Sequence, residues 1–181
     1  FATVDDLKDC YNISDGTIGK IRFGLNGSDS RLWAICGKDG NNLALLSTSE
    51  FARTTYGSTS EYSTSNFVTN INTYLGTTYF SAGETCKMAD VTVKTNEPNG
   101  NDGNEEKTVK DKKLYLPNSQ DQNSFGQTKI YVGSSNDIAI DVTKLTATNG
   151  FQNNYFWLRS PSAYNRYNAL VVSDNEVNLN R

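Results

Sequence analysis

Apolar residues recur along this chain at two different spacings, and the switches between them mark the predicted elements. Over residues 18–25 (Ile-Gly-Lys-Ile-Arg-Phe-Gly-Leu) they alternate with period two, the side-chain period of a strand. Residues 31–36 and 42–47 read as two further strands, with Lys38-Asp39-Gly40-Asn41 supplying hairpin chemistry between them. Helical spacing appears over 64–76, where Phe67, Ile71, Tyr74 and Leu75 share a face and Gly76 terminates. Two shorter helices are predicted. One spans 3–11, with Thr3 as N-cap, acids in its first turn, and Val4, Leu7 and Tyr11 on one side. The other spans 81–90, with Ser81 as N-cap and Glu84 at the capping-box position.

Further along, Val91-Thr92-Val93 is strand-like, and the polar run 95–107, rich in Asn, Gly and Glu, predicts an exposed loop without core residues. Leu114 to Pro117 predicts a short strand end, and 118–150 shows no clear period. Strands are predicted again at 155–159, 168–173 and 176–180. Neither an internal repeat nor a domain boundary interrupts the 181 residues, a length that suits one domain. The residues by themselves predict a mixed α+β chain with short strands.

Composition narrows the function. The net charge is −3 and no basic cluster stands out, so nucleic acid is not an expected partner. No apolar run approaches the roughly 20 residues that a membrane-spanning helix needs. No cleavable signal is read at the start, but the first residue is Phe1 rather than Met, so this says nothing about location. There is no histidine, and Cys10, Cys36 and Cys86 form no C-x-x-C pair, which removes the usual zinc sites. The three cysteines allow either one disulfide with a thiol left over, or three buried thiols. Without histidine the Ser-His and Cys-His nucleophile pairs are missing too, and Gly24-Leu25-Asn26-Gly27 lacks the spacing and the Lys of a phosphate-binding loop. An enzyme is therefore not expected, and no cofactor is assigned.

The C-terminal stretch stands apart. From Asn149 to Arg181 it carries eight Asn and three Tyr, against 14 Asn in the 148 residues before it, and no Lys follows Lys144. Phe156, Trp157, Leu158, Leu170, Val172, Val177 and Leu179 keep an apolar frame, and Val177 and Leu179 alternate with Asn178 and Asn180. That is a strand with one face packed and the other available. Asn, Ser, Tyr and Arg on such a face supply adaptable hydrogen bonds and rigid contact area, as antibody paratopes do.

The string Phe156-Trp157-Leu158-Arg159-Ser160-Pro161 resembles the variable proteins of diversity-generating retroelements, in the branch with a C-type-lectin fold related to the formylglycine-generating-enzyme class. Leu32-Trp33-Ala34-Ile35 followed by Leu43 to Ser47, the run Asn72 to Leu75, and the segment from Phe80-Ser81 to Val91-Thr92-Val93 extend the resemblance over residues 18–181. The resemblance implies a single C-type-lectin-like domain over 1–181, built of short twisted antiparallel strands, two or three helices and long loops, with a variable region at about 150–181. In that family a reverse transcriptase rewrites the 3′ end of the gene at template adenines. Asn codons are the usual targets and yield Tyr, Ser, Asp, Arg and Asn without stop codons. Trp157, Leu158 and Arg159 are then scaffold, with Arg159 in a structural hydrogen-bond network. The implied ligand-binding positions are Asn153, Asn154, Tyr155, Ser162, Tyr164, Asn165, Arg166, Tyr167, Asn168, Ser173, Asn175, Asn178 and Asn180. Val171 is either one more or simply packed. The implied partner is a macromolecule, a protein above all, met outside the cell, on its surface or on a virion.

Two other functions fit parts of the chain. Glu97-Pro98-Asn99 is similar to the triplet with which C-type lectins hold calcium and hexose hydroxyls, so a calcium-dependent glycan binder would use Glu97, Asn99 and Asp102, although the downstream Trp-Asn-Asp triplet is missing. A structural module of a surface appendage or virion needs no recognition face at all.

Overall fold

The computed structural model describes residues 3–12, 17–98, 104–119, 125–152, 155–162 and 169–179. Among these, small antiparallel sheets predominate and the helices are a single turn each, an α+β arrangement. The chain runs α1 (Val4–Leu7), β1 (Tyr11–Asn12), β2 (Thr17–Ile18), β3 (Lys20–Asn26), β4 (Asp29–Asp39) and β5 (Asn42–Ser47). Then follow α2 (Asn66–Thr69), α3 (Ile71–Tyr74), α4 (Ala82–Thr85), β6 (Val91–Pro98), β7 (Asn104–Lys112) and β8 (Asn118–Ser119). The last third contributes β9 (Lys129–Val132), β10 (Ile138–Asp141), β11 (Phe156–Pro161), β12 (Ala169–Ser173) and β13 (Glu176–Leu179). The sheets are β3-β4-β5, β10-β9-β8, β11-β12-β13 and the ribbons β1-β2 and β6-β7.

Three sheets meet in the main core. Ala34 from β4, Ile130 and Ile140 from β9 and β10, and Leu158, Leu170 and Val172 from β11 and β12 are all nearly or wholly buried in one cluster. A second cluster joins Tyr56 and Tyr62 to the ribbon residues Val93 and Val109, and a third gathers Trp33, Tyr74, Phe80 and Leu114. Gly24 lies where the third cluster closes on β3. Its φ is +73°, and a Cβ there would sit 2.6 Å from the Phe80 ring, so only glycine fits.

The strands predicted at 18–25, 31–36 and 42–47 appear as β3, β4 and β5. The predicted helices shrink. Thr3 and Ser81 both cap as expected, each with a complete capping box, but only four residues follow each cap. The helix predicted over 64–76 is interrupted at Asn70, whose side chain donates to the carbonyl of Asn66 at 2.8 Å. The loop predicted over 95–107 needs the larger correction. Residues 95–98 continue β6, residues 104–107 begin β7, and Thr95 and Glu97 are buried. The two-residue alternation that starts at Val91 and Val93 continues through Thr95 and Glu97, so one face of the strand is inward although its sequence turns polar.

Candidate functional site

The C-terminal sheet is fixed from the inside by one side chain. Arg159 is fully buried, and its guanidinium donates to the carbonyls of Lys94 (2.7 Å), Leu116 (2.7 Å) and Gly133 (3.2 Å). Its own N–H donates to Pro117, its carbonyl accepts from the Thr95 hydroxyl, and the Tyr115 ring lies 5.9 Å from its charge centre. Burial pulls the guanidinium below its ordinary range, an effect opposed by Tyr62 and Tyr115. β11 is thereby tied to β6, to the 114–117 segment and to the turn after β9. Beside it, Ser160 donates to Asn118 and accepts from the Ser119 N–H, fastening β11 to β8. Leu158 is fully buried; Trp157 is half-buried, packs with its ring tilted against Tyr56 (5.1 Å between centroids) and donates to the Thr54 carbonyl at 3.3 Å. All three residues read as scaffold are thus held inside or against the core.

β12 and β13 form a tight hairpin. Asp174 and Asn175 both adopt left-handed φ (52° and 63°), the pair of angles that a two-residue turn with the native strand twist requires. Leu170, Val172 and Val177 point inward with no exposure, and Val171 is also buried, so packing accounts for it. Asn178, directly across from Val171, is half-buried and donates to the Ser173 carbonyl (3.1 Å) and hydroxyl (3.0 Å).

The expected ligand-binding positions fall into three groups. Ser173, Asn175 and Asn178 come together at the hairpin end of the sheet. Phe156 pairs with Val172, so the register carries Tyr155, half exposed at 51%, to the same end. Ser162 does not belong with them: it is buried at 3%, at the opposite end of β11 where Pro161 pairs with Ala169, and cannot meet a ligand as placed. The hydroxyl is small enough to fit a packed site, which its type alone does not reveal. A strand's length, about 17 Å, separates the two ends. Asn153, Asn154, Tyr164, Asn165, Arg166, Tyr167, Asn168 and Asn180 lie outside the described residues.

The calcium alternative meets an obstacle at Glu97. Its carboxylate is fully buried, accepts from the Ser63 N–H (2.6 Å) and hydroxyl (2.8 Å), and lies 3.6 Å from the Lys107 ammonium. Those contacts tie the turn at Tyr62–Thr64 to the ribbon and occupy both oxygens. Asn99 and Asp102 lie outside the described residues, and among the described residues no group of three or more His, Cys, Asp or Glu is placed to hold a metal.

One feature escaped the reading of the sequence. A groove of about 550 Å³ opens between residues 49–56, residues 114–117 and the start of β11, with Trp33, Phe51, Leu114, Phe156 and Trp157 among its walls. Phe51 carried no periodic signal, because the segment around it has no regular secondary structure.

No family model, no curated protein and no solved structure matches this chain. Among the described residues no helix is long and apolar enough to cross a membrane.

Proposed function

We propose that this protein is a ligand-binding module that presents a diversified C-terminal face on a C-type-lectin-like frame, of the kind diversity-generating retroelements rewrite. The reading is carried by the division of labour in β11–β13. Fully buried apolar residues and the Arg159 network fix the backbone, while the replaceable polar residues Ser173, Asn175 and Asn178, with Tyr155, sit at one end of the same sheet. A frame that is rigid before binding limits the entropy lost on contact and tolerates change at outward positions. Tyr164, Arg166 and Tyr167 are the proposed energetic anchors, being residue types that dominate interface hot spots. The partner is a macromolecule encountered outside the cell, on its surface or on a virion, and no catalytic step is assigned.

Resequencing the 3′ end of the gene in descendants of a single clone tests the proposal. Substitutions confined to positions of the last thirty or so codons that match adenines in a near-duplicate template, with an adjacent reverse transcriptase gene, are the expected result. An invariant 3′ end with no such duplicate overturns it. A calcium-dependent glycan site is the less favoured reading, because Glu97 is already engaged by Ser63 and Lys107.

A further inference from the structure

Residues 50–57 run without turn or bend and pair with no strand. Yet from Ala52 onward the burial alternates as a strand's does: Ala52, Thr54 and Tyr56 are partly or wholly buried, while Arg53, Thr55 and Gly57 are exposed; Phe51, before them, is partly buried as well. One edge of this segment is already used. The Thr54 carbonyl accepts from the Trp157 indole, and the Tyr56 carbonyl accepts from the Asn66 N–H at 2.7 Å. In extended chain the N–H and C=O of one residue face the same edge, and neighbouring residues face opposite edges. The other edge is therefore made by Phe51, Arg53 and Thr55. Among the described residues, the N–H groups of these three and the carbonyls of Phe51 and Arg53 make no hydrogen bond. This open edge borders the apolar groove, and the groove's far wall begins at Tyr155.

We propose that the edge of residues 51–55 and the adjoining groove receive an extended, uncharged peptide segment of a protein partner by strand addition, with one aromatic or large aliphatic side chain entering the groove. The inference rests on the reading of the C-terminal face as a recognition surface, with which it is continuous at Tyr155. Main-chain donors and acceptors spaced along an open edge match another strand, and the aromatic walls supply the side-chain pocket that gives such complexes their specificity. The charges at the rim, Glu50 and Arg53, are paired with each other at 2.7 Å, so the mouth offers no net charge to a charged segment. A second copy of this chain fits poorly, because antiparallel pairing centred on Arg53 would set Arg53 against Arg53.

A phage-displayed library of random linear peptides, panned on the intact protein, provides the probe. A recovered peptide is synthesised and titrated against the parent chain, against Ala52→Trp, which fills the groove, and against Arg53→Pro, which removes one open-edge N–H together with the exposed Arg53–Glu50 pair, with Arg53→Ala, which loses that pair but keeps the N–H, as its control. Both variants are checked for an unchanged melting transition, and either one alone keeps the test decisive. The expected result is binding weakened by about tenfold or more, with the amides of Arg53 and Thr55 exchanging hydrogen rapidly in the free protein and slowly in the complex. Peptides that bind both folded variants as tightly as the parent, that protect a different segment, or that are not recovered at all overturn the inference. So does protection of these amides by raised protein concentration alone, which would identify a second copy as the occupant. An invariant 3′ end with peptides still seated at this edge would sink the diversification reading and leave this site standing.

Discussion

Arg159 carries its charge in the middle of the molecule and spends it on three backbone carbonyls. Hydrogen bonds from a charged donor are the strong kind, and each carbonyl left without a partner in the interior costs about 1–3 kcal/mol. Arg159→Met is accordingly expected to destabilise the fold by about 3–5 kcal/mol, read as a lower midpoint in urea. Arg159→Lys does not rescue it, since one ammonium cannot span carbonyls contributed by three segments. Glu84 is one residue whose effect depends on pH. It accepts from the Ser81 N–H, the Gly24 N–H and the Ser81 hydroxyl, and these bonds hold its carboxyl below the ordinary value of 4.5. A depressed folded-state pKa means that the contribution is complete above the unfolded value and is lost as the pH falls through the folded one. Thermal melts between neutral pH and pH 3 should therefore show a decline that starts below about pH 4.5, and Glu84→Gln should flatten that decline. Asp6, bonded to the Thr3 N–H and hydroxyl and lowered in the same way, contributes to the part that remains.

Among the elements, the β6–β7 ribbon is the one whose role departs furthest from its composition. Val93 lies opposite Val109, and both join Tyr56 and Tyr62 in the second core cluster. Four residues on, Glu97 faces Glu105 directly, and the Lys107 ammonium lies within 3.6 Å of the first and 3.2 Å of the second, which offsets their repulsion. Val93→Ala should cost about 2 kcal/mol through two lost methyl groups and the cavity they leave. Limited proteolysis of that variant should open the region around Tyr62–Thr64, which is fastened to this ribbon through Ser63 and Glu97. Much of the element order was legible beforehand: β3, β4 and β5 from alternation, β11, β12 and β13 from the apolar frame, the caps at Thr3 and Ser81 from residue type. The helix lengths were not. Apolar spacing over 64–76 reports which residues face the core, but the side chain of Asn70 competes for the backbone and splits the run into two turns.

Across the whole molecule, the C-terminal strands are central parts of the core rather than an appended surface. Leu158, Leu170, Val172 and Val177 pack in the same cluster as Ala34 and Ala44 from the β3-β4-β5 sheet and Ile130 from β9. The proposed anchors Tyr164, Arg166 and Tyr167 test the proposed recognition face: Ala at all three is expected to leave the melting transition within about 1 kcal/mol of the parent while removing partner binding. No cross-link contributes to this stability. Cys10, Cys36 and Cys86 are all free thiols; Cys36 is buried, with burial pushing its ionisation well upward, Cys10 is half-buried and Cys86 is exposed, so three buried thiols do not describe the chain. A reducing agent should leave the melting temperature unchanged.

The sequence alone placed β3, β4, β5 and the three C-terminal strands with their apolar positions, the caps of two helices, and the combination of an apolar frame with polar substituents in the last thirty or so residues. Those properties follow from local spacing and residue chemistry, which act within a few residues. Burial of Glu97 and Ser162, the seat of Arg159 among three distant carbonyls, and the open edge beside Phe51 were decided only by the tertiary structure. Each depends on groups far apart in the chain being brought within hydrogen-bonding or van der Waals reach, and a polar side chain carries no mark of whether its partner will be water or protein.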